Sequence, residues 1–285
     1  MQVRSSEKPY FSAAIFICTA AKVRITQVKV RIFQSKVRKL MKVSSITDTN
    51  KRDQNEDNRL IIPKKIKGKK LLFAAVFDGM GGTDAGEVAS GLTRDAFENW
   101  FFGFGSDELK NFPSSAKEER TELFEDINKK ILDYEAETGN SSGSTAAILM
   151  IAGDEYIAAN LGDSRIYKFG SKNIQITKDQ TLAQLEVDKG NLTPEEALTD
   201  KRSHTLVQSL GQDYPLEPDF FKGKCRKNDS FLICSDGMYN RVSIEEMTEI
   251  VKMKDLSTRD KLLELAILSK EMGEKDNITG ILIEV

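Results

Sequence analysis

Apolar positions in this chain fall into short strand-like blocks, separated by stretches in which they recur every three or four residues. The blocks RLIIP (59–63) and KKLLFAAVF (69–77) predict two strands joined by a lysine-rich hairpin, Lys64–Lys70, that contains Gly68. Ala85, Val88, Ala89, Leu92, Ala96 and Trp100 follow at helical steps and predict one apolar face. A loop rich in Gly, Pro and Ser is expected over 103–116, then a helix over 117–137 with Leu123, Ile127, Ile131 and Tyr134 in register. Four short runs, STAAILMIAG, EYIAANLG, SRIYKFG and NIQITKD, predict an antiparallel meander. Residues 180–211 read as polar and helical, with Thr193 capping and Pro194 at the first position of TPEEAL. Two more strands (EPDFFKGK, DSFLICS), helices at 243–253 and 258–272, and the closing strand NITGILIEV complete the pattern. Strands in blocks with helices in pairs between them predict an α+β fold, helices packing on antiparallel sheets.

The first 42 residues break this regularity. They hold ten Lys/Arg against one acid, Glu7, a balance of +9, whereas residues 43–285 carry −11 of the formal −2 total. FSAAIFICTAA (11–21) is apolar with basic flanks, as in a secretory signal, and KVRITQVKVRIF (22–33) alternates like a strand. Three readings stand for this segment: an extension upstream of a working start near Met41, a targeting leader, or an arm for a membrane surface or partner. The domain boundary is set at 1–42 for the extension and 43–285 for the working domain. The acidic body argues against nucleic-acid binding, and no apolar run is long enough to span a bilayer. Three cysteines without C-x-x-C spacing offer neither a disulfide framework nor a zinc site, and point to a reducing, cytoplasmic setting. His204 is the only histidine, which removes multi-histidine metal centres. The chemistry must rest on carboxylates, Arg, Lys or hydroxyls.

Four acids stand at strand edges beside glycine or small polar residues: Asp78 after FAAVF, Asp163 in ANLGDSRIY, Asp236 after FLICS, and Asp276 at the opening of the last strand. A further cluster, Arg52, Asn55, Glu56 and Asp57, precedes the first long strand. Singly, each Asp-Gly pair reads as an ordinary turn. FAAVFDG and FLICSDG, however, are near-duplicate strands delivering Asp-Gly from distant parts of the chain. If the sheets bring these ends together, the carboxylates cannot all stay ionised without compensation. Hard divalent cations supply it. Gly79, with no side chain, can turn its carbonyl towards the same ion as Asp78.

The motifs RDQNED, VFDGMGG, GSTAA, NLGDSR, LVQSLG, ICSDGM and DNITG occur in this order. Together they resemble the metal-dependent protein phosphatases of the 2C type, particularly the compact bacterial members, over residues 43–285. The resemblance implies a four-layer αββα sandwich with two central antiparallel sheets and a metal centre at one end. It implies that Asp78 bridges two Mn²⁺ or Mg²⁺ ions, that the Gly79 carbonyl binds one and Asp236 and Asp276 the other, and that Glu56 and Asp57 act through waters. Asp163 matches the position that, with Asp236, holds a third, weaker ion. Arg52 matches the arginine that grips the substrate phosphate, which its rigid fork suits. The implied activity is hydrolysis of phosphoserine and phosphothreonine in proteins by a metal-activated water, in a monomer opposed by a Ser/Thr kinase.

The sequence also departs from that pattern. Met80 stands where eukaryotic relatives carry a histidine, and Gln180 follows Asp179 where histidine is common. A dinucleotide-binding turn fails on Asp84 at the third glycine position. A cysteine phosphatase fails because Cys234 and Arg241 have six residues between them, one too many. His204 reads as an exposed residue of the flap at about 180–210. The rival of another class is a pseudophosphatase, the same fold used only for binding; loss of Asp78, Asp236 or Asp276 would favour it, and all three are present.

Overall fold

The computed structural model describes residues 31–37, 41–81, 85–110, 112 and 117–285. The apolar stretch at 11–21 and most of the alternating one after it lie outside these residues. Strands β1 (Arg31–Val37) and β2 (Met41–Asp48) pair antiparallel across the boundary expected at Val43. β3 (Asn58–Ile66) and β4 (Lys69–Phe77) form the lysine-rich hairpin. Lys67 and Gly68 at its tip have φ of 47° and 85°, left-handed values that a two-residue hairpin needs and glycine adopts without strain.

A three-residue strand, β5 (Gly79–Gly81), then leads into helix α1 (Ala85–Gly103). After α2 (Ser106–Lys110) and α3 (Lys117–Thr138) come β6 (Ser142–Ser144), β7 (Ala146–Ala152), β8 (Glu155–Leu161), β9 (Arg165–Phe169) and the two-residue β10 (Ile174–Gln175). Helices α4 (Leu182–Asp188) and α5 (Pro194–Ala197) precede β11 (Asp219–Lys224) and β12 (Ser230–Cys234). The chain ends with α6 (Asp236–Tyr239), α7 (Ile244–Lys252), α8 (Thr258–Glu271) and β13 (Ile278–Glu284).

One sheet runs β1-β2-β13-β12-β9-β10 and the other β11-β8-β7-β4-β3, all pairs antiparallel. Alternation along the strands builds three apolar layers. Leu72, Ala74 and Val76 of β4 meet Ile233, Ile281 and Ile283 between the sheets. On the other face of β4, Phe73 and Phe77 pack with Phe97 and Phe101 of α1 and Phe124 of α3. Beyond the second sheet, Leu232 and Leu282 pack with Leu262 and Leu265 of α8. Three such layers separate four of structure, the expected αββα order.

Local departures have local causes. The buried face of α1 keeps Ala85 and Ala89 of the predicted stripe but then runs through Thr93, Phe97 and Phe101, one residue round from the rest of it, with Leu92, Ala96 and Trp100 flanking. The two phenylalanines carry more apolar area than the alanines of the predicted face, so they take the core. The expected loop at 103–116 contains α2, opened by Asp107 and Glu108 at its positive end, with the Gly105 N–H donating to Glu108 Oε2 at 2.9 Å. Residues 180–211 are helical only in α4 and α5. The rest is irregular, tied down by Leu182 N–H to the Thr205 carbonyl (2.8 Å) and Val207 N–H to the Gln180 carbonyl (2.9 Å). A polar segment with no apolar stripe has no face to dock, so helix does not propagate through it. The Thr193 capping box and Pro194 are as predicted.

Candidate metal centre

Asp78 follows the last residue of β4, at the end of a strand buried on both faces. Its N–H donates to Thr145 Oγ1 (3.0 Å), and the Thr145 N–H donates back to its carbonyl (2.9 Å). Thr145 Oγ1 also shares a 2.7 Å hydrogen bond with Ser164 Oγ, tying Asp78 to the turn that carries Asp163. Beyond Asp78 the backbone closes down: Gly79 pairs with Ser144, and a Cβ on Gly79 would collide with the Gly86 carbonyl oxygen and the Glu56 carbonyl oxygen. A Cβ on Gly86 would in turn stand 2.6 Å from Glu56 Oε1. The bareness of this turn lets the 56–57 segment and the start of α1 meet at Gly79.

Asp57 comes from the β2–β3 loop and is buried. Its Oδ2 accepts from the Ser235 hydroxyl (2.8 Å), and its Oδ1 is buried with no hydrogen-bond partner among the described residues. Ser235 stands at the N-cap of α6, yet its side chain makes no cap bond, because it serves Asp57 and the Thr279 N–H (3.1 Å) instead. Asp236 is the first residue of α6 rather than a strand end, and Oδ2 accepts from Asn240 Nδ2 at 3.1 Å. Asp276 lies two residues before β13, where its Oδ2 accepts from Arg52 Nη2 at 2.6 Å.

The electrostatics show that these acids share one space. Burial, and then the charges of Asp57, Asp236, Asp163 and Asp276, hold the Asp78 carboxyl well above the usual carboxylate range. Burial pushes Asp57 up to about 7, with Asp236 and Asp276 adding to it against the Thr279 and Ser235 hydrogen bonds. Asp163, also buried, rises to about 8 through burial and the charges of Asp236 and Asp179, while Arg165 and His204 pull it back. Each expected acid from Asp57 to Asp276 is thus in this centre. Glu56 packs on Gly86 at its rim, and Arg52 is exposed and paired with Asp276.

The motifs also contain residues to which the sequence reading assigned no role. Asn277 donates through Nδ2 to the Thr49 and Gln54 carbonyls (3.0 and 2.9 Å) and accepts the Glu56 N–H on Oδ1 (2.9 Å), fastening the loop that carries Arg52 and Glu56. Gln180 accepts the Gly162 N–H on Oε1 (2.9 Å) and donates to the Glu217 carbonyl (2.9 Å). Arg165 holds Asp179 through Nε and Nη2 and lies 3.6 Å from the centre of the Tyr239 ring, whose hydroxyl donates to the Asp163 carbonyl. His204 is exposed, as expected of a flap residue. Its Nδ1 nevertheless lies 3.6 Å from Asp236 Oδ2, and that carboxylate raises the imidazole pKa. Its signal in the sequence was only its being the single histidine.

The donor set is carboxylate oxygen, with a buried acceptor on Asp57 that nothing among the described residues satisfies and a bare backbone at Gly79. This fits hard divalent cations. Like charges this close, out of water, need compensation of that kind.

Fold and centre together define a metal-dependent phosphoester hydrolase. The protein phosphatase 2C family profile matches residues 50–266, and the chain belongs to that family. It is 32% identical over 240 residues to the serine/threonine phosphatase stp of Listeria innocua serovar 6a, covering 82% of this chain and 91% of the relative. A solved serine/threonine phosphatase from S. agalactiae superposes with a TM-score of 0.76 at 29% identity, over 86% of this chain and 99% of the other. The catalytic domain of the phosphatase PstP, solved in complex with two manganese ions, superposes with a TM-score of 0.71 at 26% identity, over 86% and 98% of the chains.

Proposed function

We propose that the acidic centre holds two divalent ions, Mn²⁺ or Mg²⁺, and that with them the chain hydrolyses phosphoserine and phosphothreonine in protein substrates. One observation carries this reading: four carboxylates from separate segments converge on Asp78, with the buried Asp57 Oδ1 unpartnered among the described residues. Asp78, the Gly79 carbonyl, Asp236 and Asp276 would hold the ions, and Glu56 and Asp57 would orient water beside them. When bound, such ions lower the pKa of water and neutralise the phosphoryl oxygens.

The remaining work falls to the chain itself. Asp276 fixes one edge of the Arg52 guanidinium, leaving the rest of its fork to receive a phosphate. Asn277 keeps that loop at the right height. Thr145 and Ser164 set the position of Asp78 against Asp163. Manganese in the PstP structure supports the choice of Mn²⁺.

The domain responsible is residues 43–285, supported by the family match over 50–266, with 1–42 an extension. No helix among the described residues is long and apolar enough to cross a membrane. Cys225 and Cys234 are buried free thiols, which supports a cytoplasmic setting. The enzyme works as a monomer against a Ser/Thr kinase. A pseudophosphatase would have no use for so costly an acidic centre.

The test uses the purified full chain with p-nitrophenyl phosphate and a phosphothreonine peptide. Turnover is expected only with Mn²⁺ or Mg²⁺, and Asp236→Asn should cost at least about 100-fold in kcat with an unchanged circular dichroism spectrum. Full turnover in excess EDTA would overturn the reading.

A further inference from the structure

Beside the main centre, Asp163, His204 and Asp236 each bring one ligand atom within 4.8 Å of the other two. They come from three places: the turn between β8 and β9, the irregular segment after α5, and the first residue of α6. Asp163 is 6% exposed, and its carboxylate accepts no hydrogen bond from the described residues. A buried carboxylate left this way is costly unless a cation completes it. His204 approaches from the solvent side, its side chain 58% exposed. At 3.6 Å, its Nδ1 is too far from Asp236 Oδ2 for a hydrogen bond. Three atoms at these separations surround a point that all can reach with small side-chain adjustments.

We propose that His204 is a protein ligand of the ion held by Asp163 and Asp236, so that this ion fastens the 180–210 flap to the body of the enzyme. The proposal rests on the metal-centre reading above and adds a ligand that the resemblance does not supply. Two carboxylates alone make a hard, all-oxygen site. Adding a neutral imidazole nitrogen shifts the site towards Mn²⁺ and other transition ions over Mg²⁺, which demands oxygen ligands and sheds its waters reluctantly. The flap offers few other links to the centre. Its backbone bonds to the body lie at its two ends, the Gln180 N–H on the Gly162 carbonyl and Leu210 paired with Ser144, while the Thr181–Leu206 bridge and the bonds beside it close the flap on itself, all away from its tip at 193–197. Occupancy of the ion would therefore decide how firmly Lys201 to Thr205 is held.

The experiment measures Mn²⁺ and Mg²⁺ binding to the full chain by titration calorimetry, for the wild type, His204→Ala and Asp163→Asn. Tryptic cleavage after Lys201 and Arg202 is followed in parallel. His204→Ala should weaken the weakest Mn²⁺ site by at least about tenfold and leave the tighter two unchanged. Its effect on Mg²⁺ should be far smaller. Mn²⁺ should slow cleavage at Lys201 and Arg202 in the wild type but not in either variant. Circular dichroism checks that this exposed substitution leaves the fold intact. Unchanged Mn²⁺ affinity in His204→Ala, or equal protection of its flap, overturns the proposal while leaving two-ion catalysis standing. A wild type that binds no Mn²⁺ overturns both.

Discussion

Asp57 keeps Oδ2 on the Ser235 hydroxyl while its Oδ1 is buried with no partner among the described residues, and its carboxyl is pushed up to about 7 against an ordinary 3.8. In metal-free protein between those values, the folded state holds a proton that the unfolded chain has released. Stability therefore falls as pH rises through that window, and Asp163, raised to about 8, and the raised Asp78 carry the fall further. Melting temperature of the metal-free chain should drop by several degrees from pH 5 to pH 8, and Asp57→Asn should flatten part of the slope. Adding Mn²⁺ should restore most at the high-pH end, where ligands are ionised. A slope of opposite sign in differential scanning calorimetry would mean that the acids are not buried together. Asp57 was legible in the sequence as a member of an acidic cluster. Its unpartnered oxygen was not, because the Ser235 hydroxyl that satisfies the other one arrives from 178 residues away.

At the scale of elements, loops do the positioning that strands do elsewhere. The 49–56 segment has no regular structure of its own at Arg52, and Asn277 supplies three of its bonds, two to carbonyls and one from an amide. Asn277→Ala should remove these three hydrogen bonds, costing about 1–3 kcal/mol of stability in urea unfolding. It should raise KM for phosphopeptide more than it lowers kcat, since it frees Arg52 while leaving Asp78 and Asp236 untouched. A kcat loss as large as that of Asp236→Asn would show that the loop sets the ions instead. Helices show what periodicity can and cannot settle. The existence of α1 followed from its spacing, but its buried face turned by one residue, because Phe97 and Phe101 found Phe73 and Phe77 on β4. The small β5–β6 sheet had no signal, since the three-residue strands GMG and SGS are too short to show a period.

Across the whole molecule, the sheets act as a frame that delivers acids to one place. β2 pairs with β13 from Lys42 to Asp48 on the edge opposite the one that β1 occupies. Removing residues 1–40 should therefore leave kcat within about twofold and the melting temperature within a few degrees, as expected for an outer strand without a role in the centre. Loss of folding or turnover in that truncation would make the basic segment part of the working domain. What the sequence determined by itself was local and periodic: the strand blocks, the Lys67–Gly68 turn, the Thr193 cap, and the motifs that carry Asp78, Asp163, Asp236 and Asp276. These follow from backbone preferences and side-chain spacing within a few residues. Tertiary structure alone decided which distant groups meet: Ser235 on Asp57, Asn277 on the Arg52 loop, His204 beside Asp236. Such contacts depend on sheet order and loop path, which are set by the packing of all three apolar layers at once and leave no trace in any one segment.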